Sequence, residues 1–452
     1  LAVRKGDQSV ALITMADQSI GICLLGCGTI GTGVVRIIHE QRDLIAKRTG
    51  LNLELRHVVE LDPAKAPTFA KVPFHADAER AIDDPKTNVV IELIGGTDVA
   101  GKFVERALRL GKPVVTANKS LLAARGSELF SLARKHKACI GFEASCGGGI
   151  PIIEALTREL VANRIDALIG IVNGTCNFIL TQMTRNGWAY NQALAEAQKL
   201  GFAEANPSMD VSGRDSAQKL AILAGLAFNV RINESDIYLE GIDKLQDTDI
   251  KFAAELGYVV KLLAIARRHG SKVSLRVHPT LIKRDDLLTD VSGSFNAISV
   301  YGHALGHGLF YGRGAGQMPT ASAVVADVVN VALGVTPLAF SQMRIFPDQV
   351  PAADVLATDE LRGRYYLRLM VRDEPGVLAQ VTRILGEKGI SLSAILQHEA
   401  NDGNIVPVVI TTHIAREGSV QAALKEIDKL SAIHPPTVCL RILDQPEEFG
   451  NG

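Results

Sequence analysis

The stretch IGICLLGCGTIG, residues 20–31, decides the fold. Its first half, IGICLL, is apolar or glycine throughout, and predicts a strand covered on both faces. Glycines at 26, 28 and 31 follow at once. The next stretch, TGVVRIIHEQRDLIAKR, places Val34, Val35, Ile37, Ile38, Leu44 and Ile45 close to helical spacing. Strand, glycine turn and helix in that order form the G-x-G-x-x-G dinucleotide fingerprint. Gly26 permits the tight turn, Gly28 lets a pyrophosphate meet the backbone, and Gly31 lets helix and strand close together. The helix N-terminus then faces the anion. Gly26, Cys27, Gly28, Thr29, Ile30 and Gly31 are therefore candidate cofactor-binding residues.

Working outward, a second strand is expected around residues 54–61, with Glu60 and Asp62 as the acidic candidates for the adenosine ribose hydroxyls. A carboxylate there disfavours a 2′-phosphate and favours NAD over NADP, although Lys65 is close enough in sequence to offer a phosphate a partner. NVVIELIGGT reads as a fully covered strand ending in Gly95, Gly96 and Thr97. The two glycines are there either for close approach to a cofactor or for positive φ. The helix VERALRLG, the strand KPVVTANK, the helix GSELFSLARKHK and the strand ACIGFEAS complete a βαβαβ rhythm.

Beyond Gly149 the pattern changes. RIDALIGIVNGTCNFILTQM mixes strand and turn signals, and helices are expected near residues 190–200 and 216–228. KVSLRVHPTLI and NAISVYG read as strands. TASAVVADVVNVAL is apolar on most faces and must be buried. The last 80 residues read βαββαβ, the ferredoxin-like order. The fold class is thus α/β, with an N-terminal extension (1–19), a Rossmann-type parallel-sheet domain (20–149) and an α+β substrate and dimerisation domain (150–317). A helix returning to the first domain (318–335), a linker (336–362), a ferredoxin-like domain (363–444) and a tail (445–452) follow. Met15 is a candidate start residue.

Composition excludes several classes. Lys and Arg number 48 against 49 Asp and Glu, so no basic excess exists to neutralise a phosphate backbone. No run of 18 apolar residues predicts a membrane helix. Six cysteines without CxxC or Cys/His spacing suggest neither a disulfide scaffold nor a zinc site, and suit a reducing, cytoplasmic setting.

For chemistry, Lys119 closes TANK just past the carboxyl end of a parallel strand, where such sheets bind ligands. Asp215 and Lys219, four apart in GRDSAQKL, share one helix face. Such a pair is an ordinary surface salt bridge unless buried, but Glu204, Asn206 and Asp210 add polar groups and the following LAILAGLAF suggests burial. Two lysines near a nicotinamide suit carbonyl and alcohol chemistry, one stabilising an oxyanion and one trading the hydroxyl proton. His303 and His307 lie between glycines and complete no metal set, so they read as structural or as part of a mobile loop. Cys176 has no base arranged for it.

Several pieces together resemble bacterial homoserine dehydrogenases: GCGTIGTGV, ELIGGT, VVTANK, FEASCGGGIPII, IVNGTCNFILTQM, GRGAGQMPTASAVVADVV and, above all, AQKLGFAEANPSMDVSGRDSAQKLAIL. The resemblance covers about residues 20–336, and the final segment is similar to the family's regulatory ACT domain. It implies NAD(P)-dependent interconversion of homoserine and aspartate 4-semialdehyde, on the route to threonine, methionine and isoleucine. It places catalytic roles on Lys119, Lys219 and Asp215, substrate roles on Glu204, Asp210, Gly174 and Thr175, and cofactor contacts on Thr97 and Lys119. It also implies a monovalent cation such as Na+ on Glu143 and the carbonyls of Cys146, Gly148 and Ile150; a glycine-rich hinge is the plainer reading of that loop.

In the last domain, the turn 373–376 lies between the first strand and first helix. Asp373 is suited to an amino group, and the helix start at Gly376 to the carboxylate of an amino-acid effector such as threonine. YYLRLMVRD is expected as an open outer strand that pairs in a homodimer or homotetramer. The rival readings are a dehydrogenase of another specificity and an idle amino-acid sensor. Intact Lys119, Asp215 and Lys219 argue against the sensor.

Overall fold

The structure, a computed structural model, describes residues 18–398 and 405–446. All but the last two residues of the expected extension 1–19, and residues 447–452 of the tail, lie outside that range. The chain divides into two compact units. The first takes residues up to Thr116, Leu132–Gly141 and Ala321–Gln342; the second takes Ala117–Ser131, Phe142–Thr320 and the chain from Met343 on.

Unit one is a parallel sheet of β1 (Gln18–Leu25), β2 (Leu51–Val59), β3 (Phe74–His75), β4 (Val89–Glu92), β5 (Val114–Thr116) and β6 (Ile140–Gly141). Their spatial order is β3-β2-β1-β4-β5-β6. The order reverses between β1 and β4, the switch point at which doubly wound sheets bind dinucleotides. Ile22, Leu24 and Leu25 of β1 and Val90 and Ile91 of β4 are sealed from solvent. That is why both strands read as unbroken apolar runs rather than alternating ones. The helix Thr29–Glu40 buries Val34, Val35 and Ile38, and Val99–Arg109 buries Val104, Ala107 and Leu108.

Unit two is built on one large mixed sheet. Its strands are β7 (Ile165–Ile171), β8 (Tyr238–Leu239), β9 (Tyr258–His269), β10 (Lys272–Lys283), β11 (Phe295–Gly302), β12 (Gly306–Arg313), β13 (Arg362–Arg372), β14 (Leu392–Gln397), β15 (Ile405–Thr412), β16 (Ala415–Arg416) and β17 (Val438–Ile442). The main order is β12-β11-β7-β9-β10-β17-β13-β15-β14. The edge of β10 away from β9 is covered in three patches. Val273 bridges Val355, Arg276 and Val277 pair with β8, and Thr280 and Leu281 pair with Arg441 and Ile442 of β17. A buried ion pair reinforces this junction: Arg368 of β13 donates from Nε to Asp249 at 2.6 Å.

By compactness, residues 117–131 and 142–149 group with the second unit. Two expectations need correction. The stretch 336–362 is not a free linker. It holds most of the helix Val335–Gln342, and its later residues dock by backbone bonds from Arg231 N–H to Pro351, Ala353 N–H to Arg231 and Val273 N–H to Asp354. The strand β13 is not an open edge; β17 and β15 flank it over most of its length. The outer strand of that end is β14, with Ile395 45% exposed. His303 lies in the tight β11–β12 connection and His307 just after it, where His307 stacks on Tyr301 and bonds Ser299 Oγ at 3.0 Å.

Candidate active site

The nucleotide loop of unit one separates the roles of its three glycines. Gly26 has φ +93°, and a Cβ there would lie 2.7 Å from the Leu93 carbonyl oxygen. A Cβ on Gly31 would lie 2.1 Å from the Gly26 carbonyl oxygen, so only glycine lets the helix start this close. A Cβ on Gly28 would meet nothing within 4 Å. Gly28 therefore keeps a backbone surface open, which is what a pyrophosphate needs. The loop fits a dinucleotide.

Glu60 follows β2 directly. Its Oε2 accepts from Cys27 N–H at 3.1 Å, and its Oε1 accepts from Leu61 and Asp62 N–H. Burial raises its pKa, but the N–H groups of Asp62, Cys27 and Leu61 outweigh that and hold the carboxyl below its usual range. Asp62 is instead spent on capping the short helix Pro63–Lys65. Between the two acidic candidates, Glu60 is the one at the glycine loop, with Lys65 Nζ 3.6 Å away.

Glu92, at the end of β4, was not singled out by sequence reasoning. It is fully buried, accepts from Ile94 and Gly95 N–H at 2.9 and 3.0 Å, and takes the Thr116 hydroxyl at 2.7 Å. It thereby fixes the turn leading to Thr97. The signal was present as one carboxylate inside an otherwise apolar run. Gly95 and Gly96 have φ +82° and +74° with open space around them, so the turn itself requires both.

In unit two the lysines and Asp215 come together. Lys219 Nζ donates to Asp215 Oδ2 at 2.8 Å and to the Val172 carbonyl at 2.7 Å. Lys119 Nζ lies 3.2 Å from Asp215 Oδ1. The helix Arg214–Phe228 supplies Asp215 and Lys219 one turn apart, and its apolar remainder buries them. Lys119 opens the helix Lys119–Lys135. Asp215 is buried, which alone would raise its pKa, but the ammonium groups of Lys219 and Lys119 hold it well below the usual range. Burial opposes charge on Lys219, yet Asp215 pulls its value above that of a free lysine. One carboxylate thus keeps two cations in place.

Asn173 completes the cluster and was also missed. Its amide donates to Asp215 Oδ2 at 2.8 Å and to Asp210 Oδ1 at 2.7 Å, while its Oδ1 caps the helix Gly174–Asn186 at Cys176 N–H. Burial pushes the Asp210 carboxyl above its usual range. Thr175 donates to the Phe202 carbonyl at 2.6 Å, and Gly174 packs against Ser294, whose carbonyl oxygen would lie 2.8 Å from a Cβ. Glu204 is exposed in the turn before the helix Ser208–Val211, outside this hydrogen-bonded cluster. Burial raises the Cys176 thiol far above its usual value, which keeps it protonated and unreactive.

Glu143 is buried, with its oxygens accepting from Ile153 and Glu154 N–H at 2.9 and 2.7 Å, and burial pushes its carboxyl up to about 7. The following loop is wound by Gly147 and Gly148 at φ +76° and +55°. In the C-terminal part, Asp373 is exposed and accepts from Gln397 Nε2 at 3.3 Å, and Gly376, at φ +89°, precedes the helix Val377–Glu387. A cavity of about 530 Å³ lies against the later turns of the two helices that carry the lysines, between Leu122, Phe130, Phe142, Ile222 and Leu226. It contains none of the reacting groups. No single helix among the described residues is long and apolar enough to cross a membrane.

Comparison with known proteins identifies the family. The homoserine dehydrogenase family model matches residues 151–329, the model of the homoserine dehydrogenase NAD-binding domain matches residues 26–143, and the ACT domain model matches residues 365–432. A homoserine dehydrogenase of Neisseria gonorrhoeae is 42% identical over 434 residues, 94% of this chain and 99% of that protein. The crystal structure of a homoserine dehydrogenase from Thiobacillus denitrificans superposes with a TM-score of 0.90 at 41% identity, covering 95% of this chain and 99% of that one. A hyperthermophilic archaeal homoserine dehydrogenase in complex with NADPH matches with a TM-score of 0.60 at 26% identity, over 70% of this chain and 98% of that one. Identity of this order along nearly the whole of both chains makes the protein a member of the homoserine dehydrogenase family.

Proposed function

We infer that the chain catalyses the reversible NAD(P)-dependent interconversion of L-homoserine and L-aspartate 4-semialdehyde. The observation that carries this is the buried Asp215 carboxylate shared by Lys119 and Lys219 in a chain of this family. The bound dinucleotide supplies the nicotinamide that accepts or returns the hydride. Everything else falls to side chains that orient the substrate and manage charge.

Lys219, held by two acceptors and buried, is the fixed ammonium that stabilises the developing oxyanion. Lys119 is 31% exposed and makes the longer contact with Asp215, which suits it to exchange the hydroxyl proton with solvent. Glu204 and Asp210 take the substrate amino group, and the start of the helix Gly174–Asn186, with Gly174 and Thr175, receives its carboxylate. Lys119, Thr97 and the loop 26–31 bind the dinucleotide, with Glu60 on the adenosine ribose. A preference for NAD follows from the Glu60 carboxylate and is opposed by Lys65.

Glu143 with the carbonyls of Cys146, Gly148 and Ile150 is assigned to a monovalent cation such as Na+. Support comes from the donor set, one buried carboxylate and main-chain oxygens of a glycine-wound loop, which suits a hard ion of low charge. At the C-terminal end, Asp373 and Gly376 are assigned to an amino-acid effector, threonine in the first instance. The exposed outer strands β14 and β12 support a homodimer or homotetramer. All six cysteines are free, which supports a reducing, cytoplasmic setting.

The test is NAD(P)H fluorescence with homoserine as substrate, on the wild type and on Lys219→Ala. Homoserine-dependent reduction of the cofactor is expected in the wild type. In the variant, turnover should fall by about 3–4 kcal/mol of transition-state stabilisation while cofactor affinity is kept. No homoserine-dependent signal in the wild type would overturn the function. Near-normal turnover in the variant would overturn the assignment of Lys219.

A further inference from the structure

We propose that Ser120 and Gln218 form a strap that positions Lys119 for its step in the reaction, with Glu234 anchoring the far end. The proposal rests on the proton-exchange role given above to Lys119. Ser120 and Gln218 are positioning residues; they act through the lysine.

The two lysines are held differently. Lys219 is buried, and its ammonium has two fixed acceptors, Asp215 Oδ2 and the Val172 carbonyl. Lys119 is 31% exposed and makes one ion pair among the described residues, to Asp215 Oδ1 at 3.2 Å. It is also the first residue of the helix Lys119–Lys135. The first turn of a helix is its least secured part, because its N–H groups have no partner within the helix. A flexible four-carbon stem then separates that backbone from the ammonium. Where the ammonium sits therefore depends on what holds the first turn.

Two bonds hold it. Asn118 Oδ1 accepts from Leu121 N–H at 3.1 Å, which caps the turn from within. Ser120 Oγ donates to Gln218 Oε1 at 2.9 Å, which ties the turn to the helix Arg214–Phe228. On that helix Gln218 and Lys219 lie three and four residues after Asp215, so all three point the same way. The pairs 119–215 and 120–218 are thus adjacent links between the same two helices, one ionic and one neutral. Ser120 and Gln218 each directly adjoin a lysine in the chain.

Glu234 sets the direction of the strap. Gln218 Nε2 lies 3.3 Å from Glu234 Oε2, and a carboxylate only accepts. The amide must turn its NH2 to Glu234 and its oxygen to Ser120, which obliges the hydroxyl to donate. Gln218 is 9% exposed, so its amide is costly to leave unpaired. Glu234 in turn opens the short helix Glu234–Asp236, which is closed by Asn233 N–H on Asp236 Oδ2 at 2.8 Å. A braced turn, the Asp215 helix and the Lys119 turn are therefore joined in series. Gln218 carries no charge, so what it contributes to the site is position.

The experiment is steady-state homoserine oxidation by the full-length protein, in H2O and D2O. Wild type is compared with Ser120→Ala, Gln218→Met, the double variant and Ser120→Thr. In both single variants kcat should fall about tenfold, with KM for homoserine and cofactor kept within about twofold, since small misplacements of a reacting group carry losses of this size. The solvent isotope effect on kcat should rise, because the step that slows is proton exchange at Lys119. The double variant should be no slower than the slower single variant, as for two ends of one bond. Ser120→Thr keeps the hydroxyl and should restore turnover. If Gln218→Met does not fold, the two Ser120 variants decide. With an active wild type, the proposal is overturned by normal kcat in Ser120→Ala, by a loss confined to KM or thermal stability, by an unchanged isotope effect, by losses that multiply in the double variant, or by equal losses in Ser120→Thr and Ser120→Ala. A wild type without homoserine-dependent activity would overturn the function itself, and with it the role of Lys119.

Discussion

Asp215→Asn is the sharpest test of the charge arrangement, because it keeps the side-chain shape and removes the one carboxylate that both lysines share. At an effective dielectric of about 20, each ammonium contact, at 2.8 and 3.2 Å, contributes roughly 5–6 kcal/mol of attraction. Much of this offsets the desolvation of buried groups, and removing one member of such a pair typically costs about 3–5 kcal/mol. Burial opposes charge on Lys219, and Asp215 is the main group that offsets it. In the variant that support is gone and the lysine should hold its proton less firmly. A preorganised charged donor is then lost from the reacting oxygen, and kcat should fall by about 10²–10³-fold. The assay is kcat and KM for homoserine across neutral to alkaline pH, with NADH affinity measured separately by fluorescence. Cofactor affinity should stay within about twofold, since each 1.4 kcal/mol would be tenfold. A variant that keeps kcat within about tenfold of wild type, with an unchanged pH profile, would refute the idea that one carboxylate maintains both cations.

Three further outcomes are expected. Glu60→Ala should shift the ratio of kcat/KM values toward NADP by about tenfold, or 1.4 kcal/mol, because it removes the carboxylate and frees Lys65; an unchanged ratio would show that Glu60 only braces the loop. Lys261 is buried on β9, donates to Asn177 Oδ1 at 3.1 Å, and is lowered to about 8 by burial, with Arg185 adding to the effect. The unfolded chain holds that proton up to a higher pH, so wild type should gain stability relative to Lys261→Met as pH rises from about 8 through the free-lysine range, by up to about 1.4 kcal/mol per pH unit. A stability difference that is flat with pH would place the proton elsewhere. Finally, calorimetry of the full chain should show threonine binding that Asp373→Asn weakens by about tenfold; equal binding in both would move the effector away from this turn.

The glycine loop was legible because its physics is local: a backbone needing φ +93° at Gly26 and lacking room for a Cβ at Gly31 admits only glycine. The lysine–aspartate face was legible because helical spacing puts residues four apart on one side. Between Glu60 and Asp62 the sequence left a choice, since nothing local says which carboxylate reaches Cys27. The helix Gly174–Asn186 was hidden because NGTCNFILTQM is rich in β-branched and aromatic residues, and burial rather than propensity makes it helical. The strand β9 gave no alternation because its middle is buried on both faces. Asn173 and Glu92 were missed because each acts through partners distant in sequence, and a single polar residue carries no period. The inner position of β13 was equally invisible: βαββαβ order says nothing of which neighbouring strand covers an edge.

The three-patch edge of β10 bears on how such a protein is assembled from parts. Cutting the chain after Arg362 would leave the Val355 and β8 patches in place and strip only the pairing at Thr280 and Leu281. It would also leave Asp249, fully buried, without the guanidinium of Arg368. A truncated form becomes self-sufficient with two repairs: a charge or proline that blunts the exposed edge, and a neutral residue in place of Asp249. The joint is more than that strand and that arginine, since Arg441 pairs with Glu240 and Tyr366 bonds Asp249, so a module grafted here has to bring a short parallel strand together with both arginines and the tyrosine.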